Sequence, residues 1–144
     1  MSEKRMKLVR EHLDAFNTRD WDRYVNALVT NAVYEERATN RRTTGPNEIV
    51  STVKTWTQAF PDLKGTVKNL LTQDDMVMAE IRWEGTHEGL LKGPFGEIPA
   101  TGKTSAVDAV QVYHFDGDKI REFRHYFDMM TVLNQIGAPA MVGA

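Results

Sequence analysis

The stretch "TSAVDAVQVYHFDGDKIREFRHYF", Thr104 to Phe127, constrains the fold most. Two runs rich in β-branched and aromatic residues flank an Asp-Gly turn, the strongest short hairpin signal. A second pair precedes it, "GTVKNLLT" and "MVMAEIRWEGTHEG", joined by the polar turn "QDD". Between the pairs lies "LLKGPFGEIPATGK", whose Gly and Pro residues mark a loop. The second half of the chain therefore predicts four strands in an antiparallel meander.

The first half has a different period. Met6, Val9, Leu13 and Phe16 recur at helical spacing, which predicts an amphipathic helix over residues 3–17. Trp21, Tyr24, Val25 and Leu28 repeat the pattern, with Asp20 placed to cap the start. "AVYEERA" (32–38) reads as a short strand and "TNRRTTGPNE" as a loop. Pro46 suits the first turn of a third helix, where its missing N–H is no loss. Ile49, Val53, Trp56 and Phe60 form that helix's inner stripe, and Pro61 stops it. Helices segregated on one face of an antiparallel sheet define an α+β class. Three such helices against a long curved sheet enclose a cone with one open end, a common place for small molecules.

The 144 residues suffice for one domain, 1–144. With 18 basic and 20 acidic residues, the chain lacks the basic field that a nucleic-acid or anionic-membrane partner needs. There is no Cys, which excludes disulfides, thiol nucleophiles and thiolate metal sites. No apolar run is long enough to span a bilayer, and the charged N-terminus lacks a signal-peptide core. A cytoplasmic domain is expected.

Candidate site residues follow from strand alternation. Val77, Ala79, Ile81 and Trp83 share one face of their strand, which continues through Gly85 to His87. That pitch carries His87 toward the end of the cavity, or leaves it a satisfied strand-end histidine. His114 shares a side with Asp108, Val110 and Val112 and stands just before the Asp-Gly turn, as a catalytic group or a solvated hairpin end. In the last strand Glu122, Arg124, Tyr126 and Asp128 share one side; Arg121, Phe123, His125 and Phe127 share the other. Burial favours the face with Phe123 and Phe127, which sends Asp128 outward unless the strand-to-helix turn reorients it. Asp128 reads either as the N-cap of the helix over Met129, Val132, Leu133 and Ile136, or as an acid/base group. The histidines have no metal-type spacing, and no phosphate loop, nucleophile elbow or dinucleotide fingerprint is present. Trp56, Phe60 and Trp83 suit the apolar wall of the cone.

"GTHEG", "GEIPATGK", "VYHFDGDKI" and "YFDMMTVLNQIG", in that order, resemble the SnoaL-like polyketide cyclases of the nuclear-transport-factor-2-like (NTF2-like) superfamily. The resemblance covers nearly the whole chain. It implies a cone-shaped α+β fold and a cofactor-free reaction, without metal, on a small apolar or polyketide-like ligand. By that likeness Asp128 is the general acid/base of an intramolecular aldol closure and His114 its assistant. His87 and Tyr126 would join Trp56, Phe60 and Trp83 around the substrate. Two other enzyme readings, isomerase and epoxide hydrolase, use the same kind of cone. A non-catalytic binding or dimerisation module is the third possibility, and apolar positions on the outer sheet face predict a homodimer. "YEERAT" and "NRRTTG" depart from the family pattern: Glu35 and Glu36 offer a second carboxylate to the cavity, with Arg37 or Arg42 as partner or as an acidic-substrate contact.

Overall fold

The computed structural model describes residues 2–138. The elements run α1 (Ser2–Asn17), α2 (Trp21–Asn26), β1 (Leu28–Glu36), β2 (Arg41–Thr44), α3 (Pro46–Ala59), β3 (Lys64–Gln73), β4 (Met76–Thr86), β5 (Leu91–Gly93), β6 (Gly96–Ile98), β7 (Thr104–Asp116), β8 (Lys119–Tyr126) and α4 (Met129–Gln135). The α+β reading holds: three helices in the first half, then the meander, then a short helix.

Six strands form a curved sheet in the order β2-β1-β8-β7-β4-β3. All neighbours are antiparallel except β1 and β8, which run parallel. The Asp-Gly turn closes the β7–β8 hairpin as expected, with Gly117 at φ 61°. The β3–β4 turn uses Asp74 at φ 55°, a conformation Asp tolerates better than most residues.

Alternation decides which side chains enter the core. Val77, Ala79 and Ile81 of β4 and Ala109, Tyr113 and Phe115 of β7 are all buried. Phe123 of β8 and Tyr34 of β1 continue that inner face at 1% and 2% exposure. The register lines them up in rungs across the sheet. Val77, Tyr113, Phe123 and Tyr34 make one; Ala79, Gln111, His125 and Glu36 make the next. Val9, Leu13 and Phe16 of α1 and Ile49, Val50 and Val53 of α3 close over this face. Burying each large side chain of that kind contributes about 1.5–3 kcal/mol.

Two segments read as loops carry strands. Arg41–Thr44 pairs with β1, where its charged residues suit an exposed sheet edge. Leu91–Gly93 and Gly96–Ile98 form a small hairpin, masked in the sequence by its Gly and Pro residues. β1 also starts earlier than residue 32, because α2 ends at Asn26 and Leu28 opens the strand.

The C-terminal helix is tied down at both ends. Asp128 accepts from the Met130 N–H at 3.1 Å and from the Thr131 hydroxyl at 2.7 Å. Gln135 accepts from Ser105 Oγ (2.6 Å) and Ala106 N (2.8 Å), and its amide donates to the Ala106 carbonyl (2.8 Å). These bonds set α4 against the start of β7.

Candidate active site

The inner faces of β1, β4 and β8 bring together a directed chain of hydrogen bonds. Glu36, fully buried, sits at one end. Its Oε1 accepts from Arg41 Nη2 and from Thr39 Oγ1, both at 2.6 Å. Its Oε2 accepts from the Tyr34 hydroxyl at 2.8 Å and from Trp56 Nε1 at 2.9 Å. Tyr34 Oη lies 3.1 Å from His125 Nδ1, and Trp83 Nε1 lies 3.1 Å from His125 Nε2.

Donor chemistry orders this chain. An indole nitrogen only donates, so His125 Nε2 must carry a lone pair. The ring proton is therefore on Nδ1, which donates to Tyr34 Oη, while the Tyr34 hydroxyl donates to Glu36. Every bond points toward the carboxylate.

Burial disfavours each charged form, and the partners decide what survives. Burial alone would push the Glu36 carboxyl up. The Arg41 guanidinium, the Thr39 hydroxyl and His125 overcome that and hold it below its ordinary value. Desolvation takes His125 down to about 4, against a smaller upward pull from Glu36. Desolvation also raises the Tyr34 phenol well above its ordinary value, with Glu36 adding to the effect. At neutral pH the chain is thus carboxylate, phenol and neutral imidazole.

His125, Tyr34 and Trp83 form part of the wall of a cavity between the sheet and the helices. The empty space, open solvent at its mouth included, is about 730 Å³. Phe16, Tyr24, Trp56, Phe60, Tyr113 and Phe127 supply most of the rest of its surface. The polar groups reaching it also include His12, Gln111 and Ser105. Tyr113 donates to Gln111 Oε1 within the same strand.

The expected wall residues Trp56, Phe60 and Trp83 all line this cavity. The other expected site residues lie elsewhere. Asp128 is exposed and caps α4, outside the lining. The reason is that alternation persists to the end of β8: Asp128 keeps the side of Glu122, Arg124 and Tyr126, and the turn into α4 does not bring it round. His114 shares that outer face, with Nδ1 3.6 Å from Asp75 and Nε2 3.3 Å from Arg124. Tyr126 is 41% exposed and contacts Arg124 Nε at 3.3 Å. His87 is fully buried but stands behind the wall, its ring 5.3 Å from that of Phe60 and its Nδ1 3.0 Å from Thr101. β4 ends at Thr86, so the strand pitch does not carry His87 into the hollow.

Of the two glutamates, Glu36 turns inward and Glu35 outward. Arg42 pairs with Glu35 at 3.4 Å, as expected, but the partner of Glu36 is Arg41, and Arg37 lies over the Tyr126 ring. The sequence reading did not select His125, Tyr34, Gln111 or His12. The signal for His125 was its shared parity with Phe123 and Phe127. Among the described residues no group of three or more His, Cys, Asp or Glu side chains is arranged to hold a metal ion.

Residues 7–136 match the family model described as SnoaL-like polyketide cyclase. The chain belongs to the SnoaL-like family. Among solved structures, a candidate SnoaL-like polyketide cyclase from Jannaschia sp. CCS1 superimposes with a TM-score of 0.85 at 20% identity, covering 96% of this chain and 94% of that one. AclR from Streptomyces galilaeus, described as a candidate hydroxylase, gives 0.80 at 24% identity, covering 95% and 97%. IdmH from Streptomyces antibioticus, a candidate polyketide cyclase, gives 0.78 at 19%, covering 93% and 99%. These likenesses establish the NTF2-like, ketosteroid isomerase-like cone. No curated protein matches the chain. Solved structures described as cyclase and as hydroxylase share this fold, so the reaction has to be argued from the site.

Proposed function

We propose that this SnoaL-like protein is a cofactor-free acid/base enzyme acting on a small, largely apolar, carbonyl-bearing molecule of the polyketide type. The observation that carries the reading is the directed chain from Trp83 through His125 and Tyr34 to the buried Glu36. The neutral imidazole at the cavity wall has a lone pair with which to take a proton, and Glu36 pulls against the burial that disfavours its charged form.

In the proposed reaction His125 Nε2 takes the proton alpha to a carbonyl, and the C–H electron pair becomes an enolate. The imidazolium is stabilised by Glu36 through Tyr34, much as an aspartate steadies a catalytic histidine elsewhere. The Trp83 N–H must first swing off Nε2 to free its lone pair for the proton, and it can then donate to the enolate oxygen. The enolate carbon attacks a second carbonyl of the same molecule and forms a C–C bond. The new alkoxide then takes the proton back, so nothing is oxidised or reduced. Aromatic walls fold the substrate and bring its ends together.

A second reading, a ligand-binding module without turnover, is favoured by one observation: both nitrogens of His125 are already engaged. Deuterium uptake at the alpha carbons of 2-tetralone, incubated with the protein in heavy water, separates the two. The enzyme reading expects wild-type acceleration, a loss of about 100-fold or more in His125→Phe, and no change in Asp128→Asn. Binding of 2-tetralone without exchange would leave the module.

We propose in addition a cytoplasmic homodimer with no nucleic-acid or membrane partner. No helix among the described residues is long and apolar enough to cross a membrane. Leu71 (66% exposed) and Tyr126 (41% exposed) on the outer sheet face support a second copy there. Sedimentation showing only monomer at high concentration would contradict this.

A further inference from the structure

One open group on the cavity wall has no task in that scheme. Gln111 stands on the inner face of β7, on the rung that runs Ala79, Gln111, His125, Glu36. Directly opposed residues of an antiparallel pair hold their Cβ atoms about 4.5–5.5 Å apart, so Gln111 is a side-chain neighbour of His125. On its other side Ala79 offers only a methyl group, which leaves the amide room to face the hollow. Gln111 is 7% exposed and lines the cavity.

Half of the amide is occupied and half is not. The Tyr113 phenol, 1% exposed, donates to Gln111 Oε1 and has no other acceptor among the described residues. Burial keeps that phenol protonated, so the bond fixes which end of the amide is which, with Oε1 toward Tyr113 and Nε2 away from it. Nε2 has no hydrogen-bond partner among the described residues, yet it is not sealed. The unpaired side-chain atoms without accessible surface are His12 Nε2, Thr43 Oγ1 and His87 Nε2. Other polar groups of the wall are engaged or stand elsewhere: His125 and Tyr34 in the chain, Ser105 with Gln135, and the unpaired Tyr24 hydroxyl on α2 rather than on this rung. Two amide N–H groups left unanswered in an apolar hollow cost free energy that a ligand acceptor would recover.

We infer that Gln111 Nε2 is a ligand contact that donates to the oxygen of a neutral carbonyl and holds the adjoining carbon beside His125. An amide NH₂ only donates, so its match is an acceptor such as a ketone, aldehyde or ester oxygen. Glu36 lies on the same rung and repels an anionic acceptor, which favours a neutral carbonyl over a carboxylate. For the proton transfer, this N–H is free from the outset, whereas the Trp83 N–H has first to leave His125. Charge that develops on the oxygen as the enolate forms then meets a donor already in place. The inference deepens the proposed function and rests on the cavity being a ligand site, but the carbonyl contact itself does not require turnover.

The test compares 2-tetralone with tetralin, which carries a methylene in place of the carbonyl. Binding is followed by quenching of the Trp56 and Trp83 fluorescence. In wild type the side-chain amide resonances of Gln111 should shift with 2-tetralone and far less with tetralin. The infrared carbonyl band of bound 2-tetralone should lie below its position in a hydrocarbon solvent. Gln111→Met keeps the length of the side chain, and its sulfur remains a weak acceptor for Tyr113. The variant should weaken 2-tetralone about fivefold, leave tetralin within about twofold, and return the carbonyl band to its hydrocarbon position. Should Gln111→Met fail to fold, the two wild-type readouts decide alone. Amide resonances that respond equally to both probes, a hydrocarbon-like carbonyl band in wild type, or an equal effect of the variant on both probes overturns the inference and leaves the His125 proton-transfer reading standing. If neither probe binds, the cavity is not a ligand site and both fall. If the probes behave as predicted but 2-tetralone shows no exchange, only the catalytic reading falls.

Discussion

Trp83 donates its indole N–H to Nε2 of His125 across 3.1 Å. The bond joins β4 to β8 and fixes which ring nitrogen carries the proton. It also means that the imidazole meets the cavity with its lone pair held and its far side backed by Tyr34 and Glu36.

The ion pair behind this arrangement is expected to dominate local stability. Arg41 Nη2 and Glu36 Oε1 are 2.6 Å apart, with Glu36 fully buried and Arg41 16% exposed. Arg41→Met leaves an uncompensated buried carboxylate, which should cost about 3–5 kcal/mol. Glu36→Gln should also destabilise, since the side chains around the carboxylate all donate and the new amide NH₂ would face donors. Urea denaturation measures both, and a loss under about 1 kcal/mol for Arg41→Met would show that the pair is solvated.

Stability should fall steeply in mild acid. His12 and His125 have an ordinary value of 6.5 and drop to about 3 and about 4 when folded. The unfolded chain therefore binds two protons that the folded chain refuses. Their contribution is complete above pH 6.5 and declines as pH falls toward 4. With both histidines engaged the slope approaches about 2.7 kcal/mol per pH unit. Glu36, also held low, adds a loss in the same direction below its ordinary 4.5. Denaturation midpoints from pH 7 to 4 test this, and His12→Phe should remove about half of the histidine slope.

Asp128 should behave as a cap. It holds the first turn of α4 through Met130 N and Thr131 Oγ1. Asp128→Ala is expected to cost about 1 kcal/mol and to leave 2-tetralone binding within twofold of wild type. A larger loss of binding would put Asp128 in contact with the cavity after all.

The fold was legible because period-two and helical patterns were clean where packing is simplest. Val77 to Trp83 alternate without exception, and the Asp-Gly turn sets the β7–β8 register. The same parity already placed His125 with Phe123 and Phe127. The family resemblance implies an acid/base role for Asp128, whereas the local sequence pattern leaves cap and acid/base group open. Glu36 was harder to read. Its burial depends on Arg41 from an edge strand that looks like a polar loop, and on a parallel contact linking Tyr34 to His125 across 91 positions in sequence. Pairings of that range leave no local trace. His12 was hidden differently: on a helix stripe a histidine reads as polar, although α2 and the sheet bury it.

The protonation state of His125 tests the account most directly. Long-range proton–nitrogen spectra of the histidine rings at pH 7 should show His125 neutral, with its proton on Nδ1 and an unprotonated Nε2. They should also show no titration of this ring between pH 8 and pH 5. A His125 that carries its proton on Nε2, or that becomes imidazolium near its ordinary 6.5, would contradict the directed chain to Glu36 and the proton-transfer role built on it.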